Sequence, residues 1–291
     1  MDSWLTDDIK EQLFTPCLNV SAAVGRRLDN RIKMGQEIDE RALTEFLVDS
    51  LDMSSSENVW GNTISILRDH NIYINTSIKK SSKESTTGAD IGFIIDRSIY
   101  NGDWPSKANY AVLVQCKKID SNGNVKDFFH KVNSSGMKQS SLMMDITPSS
   151  FYFIFTPPSL VNTYCSIEPI AFTQTRPDCR SAVWNSGCFG FDHKSLSFLS
   201  SREKAEAVGI LVVPALSVES QENSGKDADL RSVLPNCLPF WYWFGELFIP
   251  GFIGDRRTDV VQVAANTLKD KDIFKNDVNY SIRINIRNRE K

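Results

Sequence analysis

The sequence predicts an α/β fold, and three observations carry that expectation. Apolar residues recur at helical spacing over 39–52, and the period then switches to strand alternation over 71–77. Two nearly continuous apolar runs follow, at 110–117 and 151–156, each with the look of a strand covered on both faces. The resulting order of helix, three strands, helix and strand is that of an α/β core.

Each element has its own signal. Over 39–52, Leu43, Phe46, Leu47 and Leu51 form one apolar stripe, with Glu45 and Asp49 on its flank. A second helix is expected over 57–70, capped by Ser55 or Ser56. Ile72 and Ile74 alternate with polar neighbours as in a strand, and 79–87 reads as a Lys/Ser/Thr loop. Residues 89–96 form a short strand opened by Gly88. The stretch 97–109, with Gly102, Pro105 and two asparagines, reads as a turn or a longer hairpin loop. A helix is expected over 125–144, broken near Gly136, and the strand 151–156 is stopped by Pro157 and Pro158.

Beyond residue 158 the expected elements are a helix ending at 203–207, a strand over 208–213 closed by Pro214 and a polar loop over 217–229. A helix over 257–268 and a terminal strand follow. In that strand Tyr280, Ile282, Ile284 and Ile286 alternate with Ser281, Arg283, Asn285 and Arg287. The chain shows no internal repeat. The expected division is a core over 1–157 and a C-terminal elaboration over 158–291 packed on the same core. The aromatic block 240–244 is either core beneath the sheet, the commoner fate, or a partner-binding patch.

Composition bounds the function classes. With 41% hydrophobic and 24% charged residues the chain reads as an ordinary globular protein. A net charge of −3 argues against indiscriminate coating of nucleic acid but leaves room for a local basic stripe. The acidic N-terminus lacks the order of a secretory signal. The longest apolar stretch, 238–254, carries Glu246 and two prolines and is too short to span a bilayer. No membrane partner and a cytoplasmic location are therefore expected. Cys17, Cys116, Cys165, Cys179, Cys188 and Cys237 lack paired spacing and read as reduced thiols. Cys179, Cys188 and His193 lack the tight spacing of a structural zinc site, and His70 and His130 show no ligand spacing either. Walker-type and Gly-x-Ser-x-Gly motifs are absent, which leaves ATPase and α/β-hydrolase readings without support.

The chemistry gathers at two strand ends. Asp90 follows Gly88, and Gln115 and Lys117 lie at alternate positions, so their side chains leave one face of the sheet. If the two strands pair as a hairpin, Asp90 approaches both across the ladder. A carboxylate, an amide carbonyl and an ammonium together suit phosphodiester cleavage with a hard divalent cation. Lys118, Lys126, Lys131 and Lys138 either extend a phosphate-tracking groove or form a solvated face.

Gly88-Ala89-Asp90-Ile91 and Val114-Gln115-Cys116-Lys117 resemble the two motifs of the PD-(D/E)xK nuclease superfamily in its Gln-x-Lys variant. The resemblance covers residues 40–157. It implies a restriction-endonuclease-like core with a central mixed sheet flanked by helices. It also implies Asp90, Gln115 and the backbone carbonyl of Cys116 as ligands of Mg2+, with Mn2+ able to substitute, and Lys117 acting on the attacking water or the transition state. Glu45 matches the family's frequent upstream acidic residue, and Gln139 a polar residue that often faces the site. The implied activity is metal-dependent hydrolysis of phosphodiester bonds, in DNA before RNA. Relatives of this size and variant are often effectors of bacterial antiviral defence, which act with a partner protein or as homo-oligomers.

Two departures stand out. No proline precedes Asp90, and Gln115 replaces the usual carboxylate, which makes Glu45 more necessary to hold a cation. Two other readings follow: a catalytically inactive nuclease-fold subunit that binds nucleic acid or assembles with a partner, and a structural interaction protein using 240–244.

Overall fold

The computed structural model describes residues 6–54, 59–81, 87–101, 104–131, 136–160, 209–219, 225–233, 236–267 and 278–288. Its helices are α1 (Asp7–Lys33), α2 (Glu40–Ser50), α3 (Gly61–Asp69), α4 (Gln139–Ile146), α5 (Ala215–Glu219), α6 (Leu230–Val233), α7 (Phe240–Tyr242) and α8 (Thr258–Ala264). The strands are β1 (Ile72–Lys80), β2 (Ile91–Asn101), β3 (Trp104–Lys118), β4 (Asn124–Val125), β5 (Ser150–Phe155), β6 (Ile210–Pro214), β7 (Ala228–Asp229), β8 (Leu238–Pro239) and β9 (Tyr280–Asn288). Seven of them form one sheet in the order β1-β9-β2-β3-β5-β6-β8. It is mixed: β2–β9 and β3–β5 run parallel and the other neighbours antiparallel. The α/β class read from the sequence is therefore found, with helices on both faces.

One face carries α1, α2, α3 and the 240–249 aromatics, packed on Phe93, Val112, Val114 and Phe153. The other carries α4 and α8 over Ile94, Leu113, Tyr152 and Ile154. Coverage on both sides explains why every residue from Tyr110 to Lys117 is buried. The aromatic block is core: Phe240, Trp241, Trp243 and Phe244 are each at most 4% exposed, and the backbone continues into a π-helix over Trp243–Phe248.

The longest helix, α1, is not among the sequence expectations. Its buried stripe, Ile9, Leu13, Cys17, Val20, Val24 and Leu28, has helical spacing, but Pro16 sits inside it. Proline cannot donate to the carbonyl four residues back. That carbonyl, on Gln12, instead accepts a 3.0 Å hydrogen bond from the Thr63 hydroxyl of α3.

Other boundaries are corrected. Residues 97–101 and 104–109 are not a loop but the outer half of the β2–β3 hairpin, because Arg97 and Ile99 continue the alternation of Ile95. Residues 125–131 and 136–138 are not helical: Asp127 and Gly136 take left-handed φ of 48° and 68°, and among the described residues of 125–144 the helix spans Gln139 onward. Strand β1 runs to Lys80, and part of 217–229 is taken by α5 and by the β4–β7 ladder. Ser55, Ser56, the stretch 203–207, Cys165, Cys179, Cys188 and His193 lie outside the described residues.

Candidate functional site

Asp90 stands immediately before β2, between two strands. Its N–H donates to the Val114 carbonyl and its carbonyl accepts from the Tyr280 N–H, both at 2.8 Å. With Ile91 opposite Val114, the antiparallel register sets Asp90 against Gln115. Gln115 Nε2 donates to Asp90 Oδ2 at 2.6 Å, the Cys116 N–H to the same oxygen at 2.9 Å, and Asn279 Nδ2 to Oδ1 at 2.9 Å. Burial pushes the Asp90 carboxyl up from its ordinary value, and the Cys116 N–H, Lys117 and Asn279 pull it partly back.

The expected hairpin approach of Asp90 to Gln115 is thus present. Gln115 Nε2 also lies 3.1 Å from the Cys116 carbonyl oxygen, so a carboxylate oxygen and a carbonyl oxygen converge on one nitrogen. The Cys116 thiol leaves the opposite face toward Thr44, and burial drives it well above the usual thiol range.

Lys117 is 4% exposed, and its Nζ lies 3.7 Å from Glu40 Oε1. Glu40 opens α2, whose N-cap Asp39 accepts from the Arg41 N–H at 3.2 Å. A 2.7 Å bond from Lys118 Nζ to the Ile38 carbonyl ties this end of the helix to β3. Burial pushes the Glu40 carboxyl up to about 7. Lys117 and the Lys118 N–H oppose that shift, while Asp90 and Asp127 add to it.

Glu45 is not brought to the site. It accepts from Lys80 Nζ at 2.7 Å and from the Tyr280 hydroxyl at 2.9 Å, with Arg41 at 3.7 Å, at the end of β1 and β9. The Lys80 and Tyr280 hydrogen bonds hold its carboxyl below the usual range. Five residues along a helix turn the side chain by roughly 140°, so Glu40 and Glu45 cannot serve the same point. The upstream carboxylate near Lys117 is Glu40.

Gln139 is the first residue of α4, and its N–H donates to the His130 carbonyl at 3.1 Å. Its Oε1 is buried without a hydrogen-bond partner. Gly88, at φ 74°, lies beside it: a Cβ there would sit 3.0 Å from the Gln139 carbonyl oxygen, so the backbone approach requires glycine.

Of the lysines read as either a phosphate-tracking groove or a solvated face, two are engaged by the chain itself. Lys126 is tied to Asp227, with Asp120 at 4.0 Å, and Lys118 holds the Ile38 carbonyl. Asn279 and Glu40 are the site residues that sequence reasoning missed. Glu40 could have been found as the glutamate directly after an Asp N-cap. Asn279 had no signal, because its approach depends on β9 entering beside β2. Among the described residues no group of three or more His, Cys, Asp or Glu side chains could hold a metal ion. The described cysteines Cys17, Cys116 and Cys237 are buried free thiols. Among the described residues no helix is long and apolar enough to cross a membrane. Compared with protein-family models, curated proteins and solved structures, the chain matches none.

Proposed function

We propose that the protein is a Mg2+-dependent nuclease of the PD-(D/E)xK kind on a restriction-endonuclease-like core, hydrolysing phosphodiester bonds in DNA. One observation carries this reading: Asp90 Oδ2 and the Cys116 carbonyl converge on the point taken by Gln115 Nε2, with Lys117 and Glu40 alongside. An amide nitrogen with its partial positive charge is a weak substitute for a cation at such a point. Turning the Gln115 amide over would offer Oε1 instead, giving an all-oxygen set of Asp90, Gln115, the Cys116 carbonyl and Glu40. That set suits a hard divalent ion such as Mg2+ or Mn2+. The unpartnered Gln139 Oε1 adds a further oxygen near Gly88.

Bound there, the cation would neutralise phosphate charge and acidify an attacking water. The chain's own contribution is positional. Asp90 is fixed by two strands before any substrate arrives, so little reorganisation is needed. Lys117 carries a buried ammonium to where phosphate charge develops. The half-buried Glu40 carboxyl keeps that ammonium aligned and can take up a proton near neutral pH. A defence role, with target choice supplied by a partner protein or by a homo-oligomer in the cytoplasm, belongs to the same reading and rests on the motif resemblance.

A second reading has its own observation. Both Asp90 oxygens already accept hydrogen bonds from the chain, as a purely structural carboxylate would. An inactive subunit of nuclease fold would look the same. Incubation of the purified protein with Mg2+ or Mn2+ on plasmid DNA, linear DNA and RNA separates the two. Cleavage of DNA is expected, falling on the order of 100-fold or more in Asp90→Asn, Lys117→Ala and Glu40→Gln, and staying within a few-fold in Glu45→Gln. DNA binding without cleavage by the wild type in either metal selects the inactive subunit. Cleavage that survives both Asp90→Asn and Lys117→Ala removes the site assignment.

A further inference from the structure

One side of the sheet is open along the outer half of four strands. On β1, Asn75, Ser77 and Lys79 are exposed, with Ile74 and Thr76 buried and Ile78 half-buried among them. On β9, Arg283 and Asn285 are half-buried and Arg287 is exposed. On β3, Lys107 and Asn109 are exposed. The pairing puts these side chains on one face: Ser77 opposite Arg283, Asn75 opposite Asn285, and Ser98 between Arg287 and Lys107. On neighbouring strands about 4.8 Å apart, Arg287 and Lys107 therefore stand about 10 Å from each other across Ser98. They border a pocket of about 580 Å³ whose other walls include Asp96, Tyr100 and Asn109.

The charge on this face runs against the chain as a whole. Among the described residues Lys79, Arg283, Arg287 and Lys107 share this face with a single carboxylate, Asp96, which Arg283 already holds at 3.4 Å. Among the described residues Lys79, Lys107 and Arg287 have no acidic partner, whereas the chain carries a net charge of −3. Apart from these five charged side chains the face is polar and uncharged, with Asn, Ser and Tyr side chains. Uncompensated cations spread over a polar surface are the electrostatic footprint of a polyanion.

The face also leads to the candidate site. Strand β9 begins beside Asp90, through the Tyr280 N–H and Asn279, and reaches Arg287 seven positions later, about 23 Å along at the usual strand rise. Helix α8 covers β2 and β3 in between, where Ala264 sits on Gly92, and Ser281 beyond Arg283 on β9 is buried, so the exposed run toward the site follows β1 past Ser77 and Lys79.

We propose that this open face binds the phosphodiester backbone of DNA, with Lys107 and Arg287 gripping phosphates at its far end and Lys79 and Arg283 guiding the strand toward Asp90. The choice of DNA as the occupant rests on the nuclease reading; the claim that a polyanion docks here does not. The test uses the full chain with metal chelated, so that binding is read apart from cleavage. Fluorescence anisotropy with labelled single-stranded and duplex DNA is measured across a salt series for the wild type and for Lys107→Glu combined with Arg287→Glu. Binding is expected to weaken by about 10-fold or more, with the slope of log K against log salt reduced by about 2. Circular dichroism verifies that the variant is folded. Binding within twofold of wild type overturns the proposal, as does a wild type that binds no DNA or binds only an RNA of the same length. Hydrolysis of bis(4-nitrophenyl) phosphate with Mn2+ is followed in parallel, because it needs the site and not the face. Its absence in the wild type, with DNA binding intact and lost in the variant, leaves the face standing and removes the nuclease reading.

Discussion

At the scale of single residues, Glu40 is where geometry and titration meet. Its carboxyl is raised from an ordinary 4.5 to about 7, chiefly by burial, and Asp90 beside it is shifted the same way. Between those two pH values the folded state holds a proton that the unfolded state releases, so stability falls as pH rises. The carboxylates held low by neighbours, Asp52, Asp227, Asp229 and Asp255, act at the acid end, below their ordinary values, and do not contribute to this window. The melting temperature is therefore expected to drop between pH 5 and pH 8. Glu40→Gln is expected to melt higher than the wild type at pH 8, by about 2 °C or more, and to flatten the profile. Mn2+ at pH 8 is expected to raise the wild-type melt more than that of Glu40→Gln. A wild-type profile that rises over this range, or a variant with the same slope, contradicts the assignment of Glu40 as a half-buried carboxyl that holds its proton to near neutral pH. Scanning calorimetry across the pH series reads all three.

At the scale of elements, α1 and β6 meet at a junction of two glycines that leaves no room for a side chain. A Cβ on Gly209 would lie 2.1 Å from the Ser21 carbonyl oxygen, and one on Gly25 would lie 2.8 Å from Gly209 Cα. The Ser21 hydroxyl accepts from the Ile210 N–H at 3.0 Å, so a side chain of the helix is bonded to the backbone of the strand. Gly209→Ala forces α1 off the sheet and is expected to cost on the order of 3 kcal/mol, while Gly35→Ala, where nothing lies within 4 Å, costs far less despite its φ of 64°. Chemical denaturation gives both values, and a Gly209→Ala protein as stable as wild type would show that the helix can shift freely. The same scale explains what was legible beforehand. Asp90 and Gln115 could be read because each sits where an apolar strand ends, and a two-residue periodicity fixes their faces. The choice between Glu40 and Glu45 depends on the rotation of α2 about its own axis, which is set by packing against β3 and β9 and leaves no local trace. Pro16 hid α1 for a related reason: the compensating hydroxyl, Thr63, lies on another helix.

At the scale of the whole molecule, the decisive feature is the place of β9. It lies between β1 and β2, antiparallel to one and parallel to the other, and it carries Tyr280 against Asp90 and Asn279 onto its carboxylate. No periodicity in 280–288 announces such a partner, since pairing across so long a separation is decided by the assembled core. A chain ended before residue 278 is expected to lose its cooperative thermal transition, and one ended after residue 288 to keep it, as followed by circular dichroism. A cooperative melt in the shorter chain would mean that β1 and β2 pair without β9. The same arrangement has a consequence in time. During synthesis, β2 leaves the ribosome on the order of ten to forty seconds before β9 at ordinary elongation rates. Through that interval β1 and the near edge of β2 both wait for the same strand. A nascent chain in this condition offers two open edges to its neighbours, and it is then, rather than in the finished molecule, that this protein is most exposed to mispairing.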